Sequence, residues 1–138
     1  MGEDEARRRF GTARVARLGT AGADGSPHVV PIVFALDHDL VYSVVDAKPK
    51  ASRKLQRLRH IEANPRVSLL VDEYDEDWAR LWWVRADGTA HIVDAGAQRD
   101  RGIELLRAKY SQYADLPDAF GAAIVVRVER WASWSFRG

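Results

Sequence analysis

The stretch Asp46-Ala47-Lys48-Pro49-Lys50-Ala51-Ser52-Arg53-Lys54-Leu55, running on to Asn64-Pro65-Arg66-Val67-Ser68-Leu69-Leu70-Val71-Asp72, decides how the chain is read. A strand ends at its start, and Lys48 and Lys50 stand at alternate positions just beyond it. Side chains two apart on an extended backbone point the same way, so the two ammonium groups converge. Ser52 is a natural N-cap, and it predicts a helix over about 52–63 with Leu55, Leu58 and Ile61 as an apolar stripe. Asn64-Pro65 is a stop signal, and Val67 to Val71 is β-rich. Two cations beside a helix N-terminus, helped by Arg53, form a ready anion site. The plainer alternative is a solvated basic face, since Arg57, Arg59 and Arg66 continue the run.

Outward from this stretch, the N-terminal half alternates strands and turns. Glu3 to Phe10 fits a short first helix. Ala13 to Leu18 is read as a strand, Ala23-Asp24-Gly25-Ser26 as a turn, and His28 to Leu36 as a second strand, the two forming a hairpin. Asp37-His38-Asp39 is another turn, and Leu40 to Val45 a third strand. Pro31 removes a ladder donor, so its strand must lie at an edge or be interrupted there.

Beyond Asp72 comes the acidic loop Asp72-Glu73-Tyr74-Asp75-Glu76-Asp77. Leu81 to Val93 is either one long strand with a bulge or bend at Gly88, or a hairpin turning at Asp87-Gly88. Asp94 is placed to cap a second helix, about 97–110, with Ile103, Leu106 and Tyr110 on one face. In the last strand Ile124, Val126 and Val128 alternate inward. The parity then shifts to Trp131 and returns at Trp134 and Phe136, which predicts a bulge near Glu129 to Trp131. The order β-β-β-α-β-β-α-β, with early strands joined by tight turns, predicts antiparallel pairing. The fold expected is mainly β: a six-stranded antiparallel split barrel of Greek-key type with two or three flanking helices, in one domain over residues 1–138.

Composition narrows the function. The chain has 138 residues, which suits one core, and a net charge of +1, which gives no field steering it to nucleic acid. There are no cysteines, so thiol catalysis, disulfides and cysteine-bound metals are excluded. No apolar run approaches the roughly 20 residues that span a bilayer. The start, Met1 to Glu5, is acidic and lacks a hydrophobic signal core, so a cytoplasmic location is expected. The preference for Arg and Ala hints at a high-GC bacterium. No Gly-x-Ser-x-Gly, Gly-x-Gly-x-x-Gly or Walker lysine is present, and His28, His38, His60 and His91 show no metal-ligand spacing. His38 and His60 are expected in solvent, while His28 opens the Pro31 strand within reach of a ligand. The acidic loop lacks the glycine and distal glutamate of a calcium loop and is expected to be solvated. Five tryptophans are many for this length. Trp82 and Trp83 are adjacent, so in a strand one faces the core and the other a second subunit or a ring-shaped ligand.

Several segments together resemble the split-β-barrel flavin and deazaflavin oxidoreductases, the superfamily of pyridoxamine-5′-phosphate oxidase, and within it the actinobacterial branch that uses coenzyme F420. They are 15–20 with 24–31, Lys48-Pro49-Lys50 with 55–65, 67–72, and 77–85 with Asp87-Gly88. The resemblance implies a homodimer with cofactor clefts between the barrels. It implies a ring lying over Val29, Val30, Pro31, Ile32, Ser43 and Val44, a phosphate held by Lys48, Lys50, Ser52 and Arg53, and a cleft lined by Trp78 with Trp82 or Trp83. The activity implied is hydride transfer from a reduced deazaflavin to a small conjugated or quinone-like substrate. The cofactor carries the chemistry, so no acid–base pair is required; Tyr74, His28 or water are candidate proton donors. The alternatives are an FMN-dependent oxidase or reductase, and a non-catalytic protein holding a flavin, a deazaflavin or haem.

Overall fold

The computed structural model describes residues 1–46, 55–115 and 120–137. Seven strands form one antiparallel sheet in the order β2-β1-β5-β6-β7-β4-β3. The strands are β1 (Ala16–Ala21), β2 (Pro27–Ile32), β3 (Ala35–Asp37), β4 (Leu40–Asp46), β5 (Arg66–Glu73), β6 (Trp82–Val93) and β7 (Phe120–Ser135). The helices among the described residues are α1 (Glu3–Thr12), α2 (Gln56–Ala63) and α3 (Ala97–Lys109), and 3-10 turns span Trp78–Arg80 and Ser111–Asp115. None is long and apolar enough to cross a membrane.

The sheet curls without closing. Inward side chains from six strands meet in one core: Leu18, Ile32, Val41, Leu69, Val84 and Ile124 are all buried in it, with Phe10 of α1 and Leu58 and Ile61 of α2. A second cluster lies on the other side of β4 and β7, where Tyr42, Val44, Ala123 and Val125 pack under Leu106 and Tyr110 at the end of α3. The first half of β7 is therefore buried on both faces.

Seven strands replace the expected six because the predicted strand from His28 to Leu36 divides at Val33-Phe34. The reason lies in where its backbone bonds go. Ser43 Oγ donates to the Val33 carbonyl at 3.0 Å. The Phe34 N–H donates to the Tyr110 hydroxyl at 3.2 Å, and the Phe34 carbonyl accepts from Lys109 Nζ at 3.0 Å. Phe34 is fully buried. Side chains of α3 and β4 thus take over the bonds that a neighbouring strand would have made. β2 pairs with β1 alone and is an edge strand, as Pro31 requires.

Helix starts also differ. α2 begins at Gln56 with Leu55 in the cap position, so Ser52 is not its cap, and Leu55 is exposed rather than part of the stripe. α3 is capped at Gly96, with φ +102°, instead of Asp94; only glycine enters that backbone region without strain. β6 is one continuous strand. The expected bulge falls at Glu129: Asp87 faces Arg130 and Gly88 faces Val128, which leaves Glu129 without an opposite. Gly88 is required there, since a Cβ would lie 2.1 Å from the Arg127 carbonyl oxygen. The parity of β7 shifts once and does not return. Trp134 stands opposite Trp83 on the outer face, and Trp134 and Phe136 are exposed.

Candidate functional site

Beyond the bulge, no described helix covers the outer face of β2, β1, β5, β6 and β7. Strand alternation and register place Val29, Gly19, Ser68, Asp87 and Arg130 in one row across it. A second row runs Pro31, Arg17, Leu70, Arg85 and Ala132. Two adjoining grooves cut this face and share Gly19, Val29, Ser68 and Arg85. One, of about 680 Å³, is lined by Arg66, Arg85, Arg130, Asp87 and His28. The other, of about 490 Å³, is lined by Leu70, Tyr74, Leu81, Trp82, Trp83 and Trp134. One end of the trough sets three arginines against Asp87 and Glu129, and the other is aromatic, with Arg17, Asp72 and Glu73 beside the rings.

The polar end is organised around Asp87. Its carboxylate accepts from Ser68 Oγ at 2.7 Å and from Arg85 Nε at 2.9 Å, with Arg130 contributing charge from β7. Partial burial acts to raise its pKa, yet these bonds and charges hold it below the usual carboxylate range. Arg85 lies 5.9 Å from the Trp83 ring centroid and so links the two ends.

The residues predicted for the ring divide by strand parity. Val29 and Pro31 face outward, with Val29 65% exposed; Val30 and Ile32 face the core, and Ile32 is buried. Ser43 and Val44 are buried, Ser43 bonded to Val33 and Val44 packed in the α3 cluster. Lys48, Lys50, Ser52 and Arg53 lie outside the described residues. Trp78 is 59% exposed on the 3-10 turn and lines neither groove. Trp82 lies at the rim of the aromatic groove. It packs against the core, donates from Nε1 to Glu73 at 3.2 Å, and lies under Arg9 at 5.2 Å. Trp83 and Trp134 carry the aromatic wall. Trp134 faces outward, not inward, because β7 carries one bulge and its parity does not return.

His60 also departs from expectation. It is buried, not solvated, between Thr20 and Gln56. His38 is exposed, as its turn predicts.

The trough is compatible with a planar anionic cofactor. Its floor includes the bare backbone of Gly19, its rim carries arginines, and β2 offers an unpaired edge. His28 Nδ1 is buried with no hydrogen-bond partner among the described residues, on the inward side of β2 against the His60 ring.

The family model for pyridoxamine 5′-phosphate oxidase matches residues 3–135. The chain belongs to that family. A curated relative, a 5a,11a-dehydrotetracycline/5a,11a-dehydrooxytetracycline reductase of Streptomyces rimosus, is 30% identical over 88 residues, 62% of this chain and 59% of the relative's length. Among solved structures, a conserved hypothetical protein of Mycobacterium tuberculosis has a TM-score of 0.79 at 23% identity, over 99% of this chain and 86% of that one. An FAD-binding protein of Mesorhizobium loti has a TM-score of 0.74 at 25% identity, over 96% of this chain and 92% of that one. Membership of the pyridoxamine 5′-phosphate oxidase family accords with the unclosed antiparallel sheet.

Proposed function

We propose that this protein is an oxidoreductase that binds a flavin-type cofactor, specifically the deazaflavin F420, and passes a hydride from it to a small conjugated or quinone-like substrate. The observation that carries this reading is the trough on the uncovered sheet face, with arginines at one end and Trp83, Trp134 and Tyr74 at the other. Family membership and the reductase of Streptomyces rimosus support the reaction class. A bound deazaflavin supplies the hydride. The chain's own residues bind, orient and exclude water. Val29 and Trp83 offer flat apolar surface, and Arg66 and Arg130 offer charge. Lys48, Lys50, Ser52 and Arg53 are the proposed holders of the phosphate. Ile32, Ser43 and Val44 line neither groove, and their side chains are buried. The exposed apolar surface on this face fits a second copy of the chain, giving a homodimer that encloses the cofactor.

FMN is the second reading, favoured by the FAD-binding neighbour of Mesorhizobium loti. Parallel titration with F420 and FMN, followed by tryptophan quenching, separates the two. Selective F420 binding supports the first and selective FMN binding the second, while binding of neither overturns both. Lys48→Ala with Lys50→Ala is expected to weaken the bound cofactor at least tenfold, about 1.4 kcal/mol. Unchanged affinity removes the phosphate assignment.

A further inference from the structure

The surroundings of His60 fix where its proton sits. Arg59 Nη2 donates to Gln56 Oε1 at 2.9 Å. A guanidinium can only donate, so the amide oxygen of Gln56 must face Arg59, and its NH₂ faces His60. That NH₂ lies 2.7 Å from His60 Nε2. An amide NH₂ also only donates, so Nε2 must present a lone pair. The proton of the neutral ring is then on Nδ1, where Thr20 Oγ1 accepts it at 3.0 Å. One chain of bonds thus runs from Arg59 through Gln56 and His60 to Thr20, joining the first turn of α2 to β1.

We propose that His60 is a positioning residue that works as a proton-operated latch: the neutral Nδ1–H ring ties the first turn of α2, through Gln56, to Thr20 of β1 beside the polar groove, and a proton on Nε2 costs that turn one bond of the chain while the Nδ1–H bond to Thr20 stays in place. A protonated ring would set Nε2–H against the Gln56 NH₂ at a 2.7 Å separation. Turning the amide over would bring that NH₂ onto Arg59 instead. Either way a bond in the chain is lost. The charged or titratable groups turned toward the ring are Asp24 from the β1–β2 turn, His28 from β2 and Arg59 from α2 itself. β1 presents the uncharged Thr20.

The latch adjoins the site through two routes. His28 lines the groove and stacks edge-on against His60 at 5.5 Å between ring centroids. α2 leads through Asn64-Pro65 into β5, which places Arg66 and Ser68 in the groove. The consequence for ligand binding rests on the cofactor reading above; the latch itself does not, so it is tested without cofactor.

The test uses the full chain labelled with ¹⁵N-histidine. Long-range proton–nitrogen spectra at pH 8 should show His60 as the Nδ1–H tautomer. The amides of Leu58 and Arg59 donate to the Leu55 carbonyl at 3.1 and 3.2 Å, and their hydrogen exchange reports the first turn. After correction for intrinsic exchange, their protection should fall roughly fivefold to tenfold between pH 8 and pH 5 as the ring gains its proton, the range of one net hydrogen bond. In Gln56→Glu a carboxylate accepts from both Arg59 and the protonated ring, so protection should be greatest at pH 5. An Nε2–H tautomer at pH 8, a ring still neutral at pH 5, or protonation with protection unchanged each overturns the latch. Should Gln56→Glu not fold, the wild-type measurements decide alone.

Discussion

The outer face of the sheet is finished in two different ways on either side of Glu129. Over β4 and the first half of β7 it is roofed by α3, and Leu106, Ala123 and Val125 are fully buried there. Arg99 ties the roof down, donating to the carbonyls of Gly121 at 2.9 Å and Phe120 at 3.0 Å. Over β2, β1, β5, β6 and the second half of β7 the same sheet surface is bare among the described residues, and Val29, Leu70 and Trp134 stand exposed on it. Burial of apolar area is the main favourable term in folding, so the indole and isopropyl groups left in water on this face add little to the stability of the single chain, which is the ground for placing the proposed site and dimer contact there. The roofed half supplies stability, and the bare half carries the proposed site.

The boundary between the halves should be the costliest place to alter. At Gly88, opposite the bulge, any added Cβ meets the Arg127 carbonyl oxygen at 2.1 Å, and that atom belongs to backbone with no room to retreat. Gly88→Val is expected to destabilise the chain by about 4 kcal/mol or more, read as the shift in urea midpoint at constant slope. A loss under about 1 kcal/mol would mean that the ladder can slide past the bulge, and the two halves would not be separately phased.

Next in size is the roof. Leu106→Ala empties a site with no exposed surface between α3 and the sheet, and an expected loss of about 3 kcal/mol follows from lost transfer energy plus the residual cavity. Leu70→Ala, on the bare face, removes the same groups from a side chain 38% exposed and should cost well under half as much. Equal losses, measured by the same denaturation curves, would erase the distinction between roof and site.

Much of this division is legible in the residues before any coordinates. Ile124, Val126 and Val128 announce the inner face of β7, Pro31 announces an edge, and the tandem Trp82-Trp83 announces one aromatic in and one out. Three features escape a reading of this kind. The break at Val33-Phe34 depends on Tyr110 and Lys109, some 75 residues away in sequence, accepting and donating the missing ladder bonds. The burial of His60 depends on Thr20, which is 40 residues earlier. The outward turn of Trp134 depends on there being one bulge and no second; local periodicity counts parity but cannot count bulges. The arginine-rich end of the trough is similarly hidden, because Arg66, Arg85 and Arg130 come from three strands and meet only through register.

A smaller effect should appear as a pH dependence confined to the roofed half. Burial lowers the Lys109 ammonium to about 8 from the usual 10.5, and the neighbouring Arg14 charge acts in the same direction. Burial meanwhile pushes the Tyr110 hydroxyl above its usual 10. From about pH 8 to about pH 10 the unfolded chain therefore binds more protons at Lys109 than the folded one, and stability rises with pH. Above that window Tyr110 ionises first in the unfolded chain and the trend reverses. The amine is only partly buried, so solvent screening keeps the rise modest. Lys109→Met should flatten it in denaturation curves taken across the window, and a slope unchanged by that substitution would assign the rise elsewhere.

The smallest expected effect on folding is on the bare face itself. Trp134 is 43% exposed, stands opposite Trp83, and touches no roof. Trp134→Ala should leave the stability of the single chain within about 0.5 kcal/mol, since surface substitutions away from buried contacts rarely do more. The same change removes one wall of the aromatic groove and part of the surface offered to a second copy. Cofactor affinity by fluorescence titration, with self-association by sedimentation, should therefore fall while the folding curve of the dissociated chain barely moves. That separation is the sharpest form of the comparison: a large indole whose loss the fold ignores and the site does not. A full core-like loss of stability with binding and association intact would reverse it and make the bare face structural.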